Sequence, residues 1–200
     1  PTVAWLDKRF GKSQWGRGAV LNYAIGQGEY LVTPMQMVRY ATCIAADGKL
    51  YVPRIVQAIV NHDGTVVAPP PQVERVWDIP HEDLLGVREA MRRVVADGTA
   101  RGVRIEGFMA AGKTGTAENP HGEPHSWFMG YAPAQDPKIA FSVIVEAGGH
   151  GSDVAVPITK RLLMAYCGAD SIPTPPPPKP KPAARTDSST VVTVAPKVTS

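Results

Sequence analysis

No stretch of this sequence approaches the roughly 20 apolar residues that a membrane-spanning helix needs. Its opening from Pro1 carries no signal-peptide pattern either. Any export or anchoring segment is therefore expected upstream of this chain. Basic stripes are lacking too. The 200 residues carry a formal net charge of +3, and all of it lies after Ile172, where Lys179, Lys181, Arg185 and Lys197 stand against Asp187 alone. The body is neutral, which argues against nucleic acid as a partner because that binding needs phosphate neutralisation. Cysteine is scarce: Cys43 and Cys167 each sit in an apolar helical pattern with no second thiol or histidine at metal-ligand spacing. Two buried free thiols are the expectation, a disulfide stays open, and the cysteines do not decide the compartment.

What is present is enough apolar surface, 44% of residues, for one sizeable core. The composition changes near Pro173 to proline, lysine, serine and threonine, with Pro175 to Pro178 consecutive. The chain therefore divides into a body, residues 1–172, and a proline-rich tail, 173–200. The tail is expected to be extended and then disordered, for want of apolar surface to offset chain entropy. It reads as a plain exposed tail before it reads as a ligand for another domain.

The body alternates helical and strand patterns. Thr33-Pro34-Met35-Gln36 predicts a capped helix start, and Met37, Val38, Ala41, Ile44 and Ala45 continue it at helical spacing until Gly48. Tyr51 to Val60 and Thr65 to Val67 flank a turn at Asn61-His62-Asp63-Gly64, which predicts a hairpin. A second helix is expected from near Pro80 to Ala96, with Leu84, Val87, Met91, Val94 and Val95 on its inner face. Strands are expected at about Ala110 to Glu118, Ser126 to Ala132 and Ile139 to Glu146, the last covered on both faces because both alternating sets are mostly apolar. A closing helix begins between Asp153 and Pro157, with Val154, Ile158, Leu162 and Tyr166 along its apolar side. Short connections between the strands predict an antiparallel sheet flanked by helices, an α/β (α+β) architecture.

The chemistry concentrates in Ala111-Gly112-Lys113-Thr114-Gly115-Thr116-Ala117. Gly112 and Gly115 leave the strand open to close approach. Alternation places Thr114 and Thr116 on one face and Lys113 on the other, unless twist at the glycines brings the ammonium round. Hydroxyls with an ammonium suit a carboxylate. A bare Lys-Thr-Gly triplet is nevertheless expected by chance in about one chain of this length in twenty.

Flanking blocks make it specific. Asn22 to Met37, with Ile25-Gly26-Gln27-Gly28 and Thr33-Pro34, resembles a segment of class B penicillin-binding proteins. So do Ala110 to Ala117, His125-Ser126-Trp127-Phe128-Met129-Gly130-Tyr131-Ala132-Pro133, and Val145 to Gly151 with its Gly148-Gly149-His150-Gly151 ending. Their order and spacing most resemble the penicillin-binding protein 2 group, the cell-elongation transpeptidases. The resemblance implies an incomplete β-lactamase/transpeptidase-like fold and a serine-type D,D-transpeptidase that cross-links peptidoglycan and binds penicillin. In that family Lys-Thr-Gly meets a Ser-x-x-Lys nucleophile motif and a Ser-x-Asn motif. No serine here has lysine three positions on or asparagine two positions on. The chain thus reads as the C-terminal part of a transpeptidase domain, inactive alone.

Matched positions carry the family roles. The resemblance implies that Lys113 serves the proton relay and the electrostatics, and that Thr114, Gly115 and Thr116 bind the substrate. The Thr116 N–H would be one oxyanion-hole donor, a kind of contact worth about 3 kcal/mol in the transition state. It implies as partners the D-Ala-D-Ala end of a stem peptide, β-lactams, the missing N-terminal part of the same protein and cell-elongation membrane proteins. It also implies a periplasmic place for a parent anchored in the inner membrane, and no cofactor. Two rivals remain: a non-catalytic module that lost the nucleophile, and a serine β-lactamase or sensor relative.

Other features have plainer readings. His121-Gly122-Glu123-Pro124-His125 is a loop rather than a helix face, without a third ligand close in sequence, so no metal site is expected. His125 is expected to set up the strand that follows. At least one of Trp127 and Phe128 must face the core. His150 suits a loop beside the cleft and an exposed turn equally. Gly26-Gln27-Gly28 lacks the third glycine of a phosphate loop and is expected to shape the turn into the capped helix. Trp5 and Trp15 are expected to be buried against the upstream part.

Overall fold

The computed structural model describes residues 2–12, 14–28 and 31–167. The proline-rich tail lies outside them, as does the proposed boundary at Pro173. Two short helices come first, α1 (Val3–Phe10) and α2 (Arg17–Ala24). Trp5, expected buried, is 39% exposed. Trp15 is half-buried and donates from Nε1 to Asp7 Oδ1 at 2.8 Å.

Helix α3 (Pro34–Ala45) begins as its sequence predicts. The Thr33 hydroxyl accepts from the Gln36 N–H, the Gln36 side chain accepts from the Thr33 N–H, and proline takes the first turn. Ala41, Cys43 and Ile44 are buried. Burial pushes the Cys43 thiol up from its ordinary value. Cys167 corrects the expectation of two buried thiols, because it caps α5 in solvent; both thiols are free.

The predicted long hairpin is only partly realised. Its turn stands, with β2 (Ile59–Val60) paired to β3 (Val66–Val67). Its upper arm is taken by another partner: Tyr51 lies in β1 (Lys49–Tyr51), which pairs antiparallel with β4 (Val73–Val76). Arg39 from α3 holds that pair, donating from Nε to Tyr51 O at 3.1 Å and pairing through Nη2 with Glu74.

Helix α4 (His81–Ala96) buries Leu84, Met91 and Val95. Val87, expected inside, is 43% exposed. The inner stripe runs 84–88–91–95, and Arg88 occupies its second place, donating from Nε to Ile44 O at 2.7 Å and from Nη2 to Asp47 at 2.9 Å. Val87 is thereby rotated to the flank.

The central sheet has the order β5–β6–β7 and is antiparallel throughout, made of β5 (Ala111–Ala117), β6 (His125–Ala132) and β7 (Ile139–Val145). Helix α5 (Ala155–Tyr166), the end of α4 and a short 3-10 turn, Arg101–Val103, cover one face, where Val95, Val103, Val156 and Leu163 pack with Phe128 and Phe141. Helix α3 and Met91 of α4 cover part of the other, against Ala111 and Tyr131. The expected antiparallel sheet flanked by helices is thus observed.

The inner side of α5 is a correction. Ala155, Val156, Thr159 and Leu163 are buried, whereas Ile158, Leu162 and Tyr166 are 38%, 56% and 52% exposed. The physical reason is the tie at the helix start. The Ser126 hydroxyl accepts from Ala155 N and donates to His150 O, both at 3.0 Å, which ties the helix start to β6. A Cβ on Gly151 would lie 2.5 Å from Trp127 O. The tie at Ala155 turns the side bearing Ala155, Val156, Thr159 and Leu163 onto the sheet, and the Ile158, Leu162 and Tyr166 stripe faces outward.

Candidate functional site

Strand β5 has a sheet partner on one side only, so its other side is an edge without a strand neighbour. The register pairs Lys113 with Met129, Thr114 with Phe128, Gly115 with Trp127 and Thr116 with Ser126. Thr114 and Thr116 accordingly share the α5 face with buried Phe128 and Ser126. Lys113 and Gly115 share the opposite face with Met129 and Trp127, as simple alternation requires.

Over that opposite face lies a cleft of about 810 Å³. Its walls are the turn Ile25–Gly28, Leu31, Val32 and Met37 on one side, and Lys113 to Glu118, Trp127, Met129 and Ile144 on the other. Of the adjacent aromatics, Phe128 is wholly buried and Trp127 faces the cleft. His125 also lines it, and its Nδ1 accepts from Ala147 N at 3.0 Å, which ties the start of β6 to the end of β7. His150 is exposed and does not line the cleft. Among the described residues no group of three or more His, Cys, Asp or Glu converges as a metal site would.

The ammonium returns to the strand's outer edge despite starting on the cleft face. Lys113 Nζ donates to Thr114 O at 2.7 Å. The Thr114 hydroxyl is held from the other side by the Thr99 hydroxyl at 2.7 Å. The Thr116 hydroxyl accepts a long 3.5 Å bond from Gly151 N. Thr116 O accepts from Gln27 Nε2 at 3.0 Å, and Glu118 N donates to Gln27 Oε1 at 3.2 Å. In an antiparallel strand the N–H and C=O of one residue point the same way. The N–H of Thr116 therefore points outward beside its carbonyl, as does that of Thr114.

The glycines do leave the strand open to close approach, and what approaches is chiefly the neighbouring strand. A Cβ at Gly112 would meet Met129 O at 2.7 Å and the Phe128 ring at 2.8 Å, and one at Gly115 would meet Trp127 Cβ at 3.2 Å. Both clear the strand's own neighbour in the sheet, and Gly115 also lines the cleft. Sequence reasoning missed Gln27 and Thr99. Gln27 had a signal, one long polar side chain between two glycines; Thr99, in a plain Asp-Gly-Thr turn, had none.

The sequence model of the family described as "Penicillin binding protein transpeptidase domain" matches residues 6–164. The chain belongs to the penicillin-binding protein transpeptidase family. A peptidoglycan D,D-transpeptidase MrdA from Acinetobacter baumannii is 33% identical over 170 residues, covering 78% of this chain and 25% of that protein. Two solved structures of penicillin-binding proteins are similar. The complex between PBP2 and MreC from Helicobacter pylori has a TM-score of 0.66 at 30% identity, over 84% of this chain and 31% of that one. The imipenem acyl-enzyme complex of penicillin-binding protein A from M. tuberculosis has a TM-score of 0.64 at 30% identity, over 72% of this chain and 33% of that one. These relatives bear out the resemblance to the class B, PBP2-type transpeptidases. The chain spans about a quarter of the MrdA protein and a third of the solved chains, so its sheet and helices are a part of that transpeptidase fold.

Proposed function

We propose that this chain is the substrate-binding wall of a peptidoglycan D,D-transpeptidase, carried by one observation: an edge strand with outward N–H groups at Thr114 and Thr116 and the Lys113 ammonium alongside. The substrate is the D-Ala-D-Ala end of a stem peptide, which adds to β5 as an extra strand. Thr114, Gly115 and Thr116 line its bound backbone, and its carboxylate is met by the threonine hydroxyls and the ammonium. In the reaction, a serine oxygen bonds to the carbonyl carbon of the penultimate D-Ala, and the serine's proton passes to the departing amine of the last D-Ala. An acceptor amine then displaces the serine and completes the cross-link. The Thr116 N–H stabilises the oxyanion, and Lys113 adds positive potential and holds the relay hydroxyl.

The nucleophile is supplied by Ser-x-x-Lys and Ser-x-Asn segments that this sequence does not contain. β-Lactams are ligands of the same wall, a reading supported by the acyl-enzyme form of the similar M. tuberculosis protein. The H. pylori complex with MreC supports cell-elongation membrane proteins as partners. Periplasmic placement follows from the peptidoglycan substrate; among the described residues no helix is long and apolar enough to cross a membrane. The boundary between the transpeptidase part and the proline-rich tail, 173–200, is proposed at Pro173 on composition.

The test is acylation by a fluorescent penicillin. This chain alone takes no covalent label. In the polypeptide that joins this sequence to the two serine motifs, Lys113→Ala slows labelling by about two orders of magnitude. Its unfolding midpoint moves little, because the Lys113 side chain is exposed. Unaltered labelling would remove Lys113 from the site.

A further inference from the structure

One peptide lies across the α5 face of the sheet between two hydroxyls. Thr116 and Ser126 are directly paired across β5 and β6, so their side chains share that face. The peptide joining His150 to Gly151 stands between them: the Ser126 hydroxyl donates to His150 O at 3.0 Å, and Gly151 N donates to the Thr116 hydroxyl at 3.5 Å. A trans peptide aims its C=O and N–H in opposite directions, so fixing the carbonyl at Ser126 aims the N–H at Thr116. Gly151 has no room for a side chain, since a Cβ would lie 2.5 Å from Trp127 O and 2.6 Å from Gly115 O. The peptide therefore rests directly on the two strands. Ser126 is wholly buried, and because its oxygen accepts from Ala155 N at 3.0 Å, its one proton is left for His150 O. Other bonds of this turn are internal to it or lie at its far end: Asp153 N donates to His150 O at 3.1 Å and Gly149 N to Pro124 O at 2.8 Å. Ser126 fastens the Gly151 end to β6.

We infer that Ser126 is a positioning residue for the acyl-transfer site: through the His150–Gly151 peptide it sets the direction of the Thr116 hydroxyl. An oxygen that accepts from Gly151 N has one lone pair occupied, and its own proton is left to donate. Thr116 is only half-buried, which leaves that proton accessible to a ligand laid along β5. The donor is then restricted in rotation before the ligand arrives, which lowers the cost of ordering it on binding. The inference rests on the substrate-binding reading above and adds to it a buried residue that itself touches no ligand.

The experiment uses the polypeptide that joins this sequence to the serine motifs. It follows the rate of labelling by a fluorescent penicillin, with urea unfolding of each variant beside it. Ser126→Ala removes the tie and leaves the Ala155 N–H without its acceptor, while His150 O keeps Asp153 N. Labelling should slow about fivefold, the factor of one neutral hydrogen bond. Ser126→Cys, a weak donor of similar size, should fall between the two, and it replaces the alanine form should that fail to fold. A double-mutant cycle separates positioning from a merely structural role. In a Thr116→Val background, which keeps the Thr116 N–H but has no hydroxyl to direct, Ser126→Ala should slow labelling less than about twofold. Three results would overturn the positioning role: an equal loss in that background, unaltered labelling in the single variants, or failure of both Ser126 variants to fold. The substrate wall would still stand as long as Lys113→Ala slows labelling. Labelling unaltered by Lys113→Ala would remove the wall, and the inference with it.

Discussion

Two regions of this protein use apolar strand residues to opposite ends. In the sheet, Phe128, Tyr131, Phe141 and Ala132 lie between α3 and α5 and are buried. Between Val52 and Ile79 the chain also forms strands, yet Ile55, Val56, Ile59, Val60, Val66, Val67 and Val76 are all more than half exposed. The difference is a second layer. A sheet buries apolar surface only when something packs on it; among the described residues α3 lies against β1, while the pair β2–β3 has no helix packed on it. Strand formation and core formation are thus separate events, and only the second carries most of the stability.

The comparison breaks most sharply on substitution. Phe128→Ala should cost about 3–5 kcal/mol, the range for emptying a packed aromatic site, whereas Ile55→Ala, at a fully exposed position, should stay within about 0.5 kcal/mol. Urea unfolding of the two variants checks it. Equal losses would mean that the 52–79 segment packs on something in solution. The next effect is local. Thr33→Ala removes the hydroxyl half of a complete capping box and should cost about 1 kcal/mol, since α3 carries core residues on which β6 and β7 pack. If the loss is instead as small as at Ile55, α3 is held by its packing and not by its cap.

The smallest effect lies on the wet side of a helix whose other side is core. Glu89 accepts from Arg92 and Arg93, and these bonds hold its carboxyl down to about 2 from an ordinary 4.5. A depressed carboxyl contributes stability that is present above about 4.5 and lost as pH falls through about 2. Because the group is solvent-exposed, the contribution is small. The difference in unfolding midpoint between the unaltered chain and Glu89→Gln should therefore be largest near pH 6 and close as pH approaches 2. A difference that persists at pH 2 would assign the effect to packing.

Much of this was legible beforehand where the signal is local. The capping box at Thr33 and Gln36, the three strands and the turn at Asn61–Gly64 depend on neighbours a few residues away, and all appear within a residue or two of their expected positions. What failed depends on distant contacts. Tyr51 pairs with β4 because Arg39 and Glu74 meet across 35 residues. Val87 turns outward because Arg88 finds Ile44 O.

By itself, then, the sequence determined the order of elements, the Lys113-Thr114-Gly115-Thr116 strand and its family, because periodicity, caps and ordered motifs are properties of short stretches of chain. The tertiary structure alone decided which side of α5 meets the sheet, how the Lys113 ammonium returns to the outer edge, and that Gln27 and Thr99 stand beside Thr116 and Thr114. These outcomes turn on approach distances and on hydrogen-bond partners brought from afar, which no window of sequence contains.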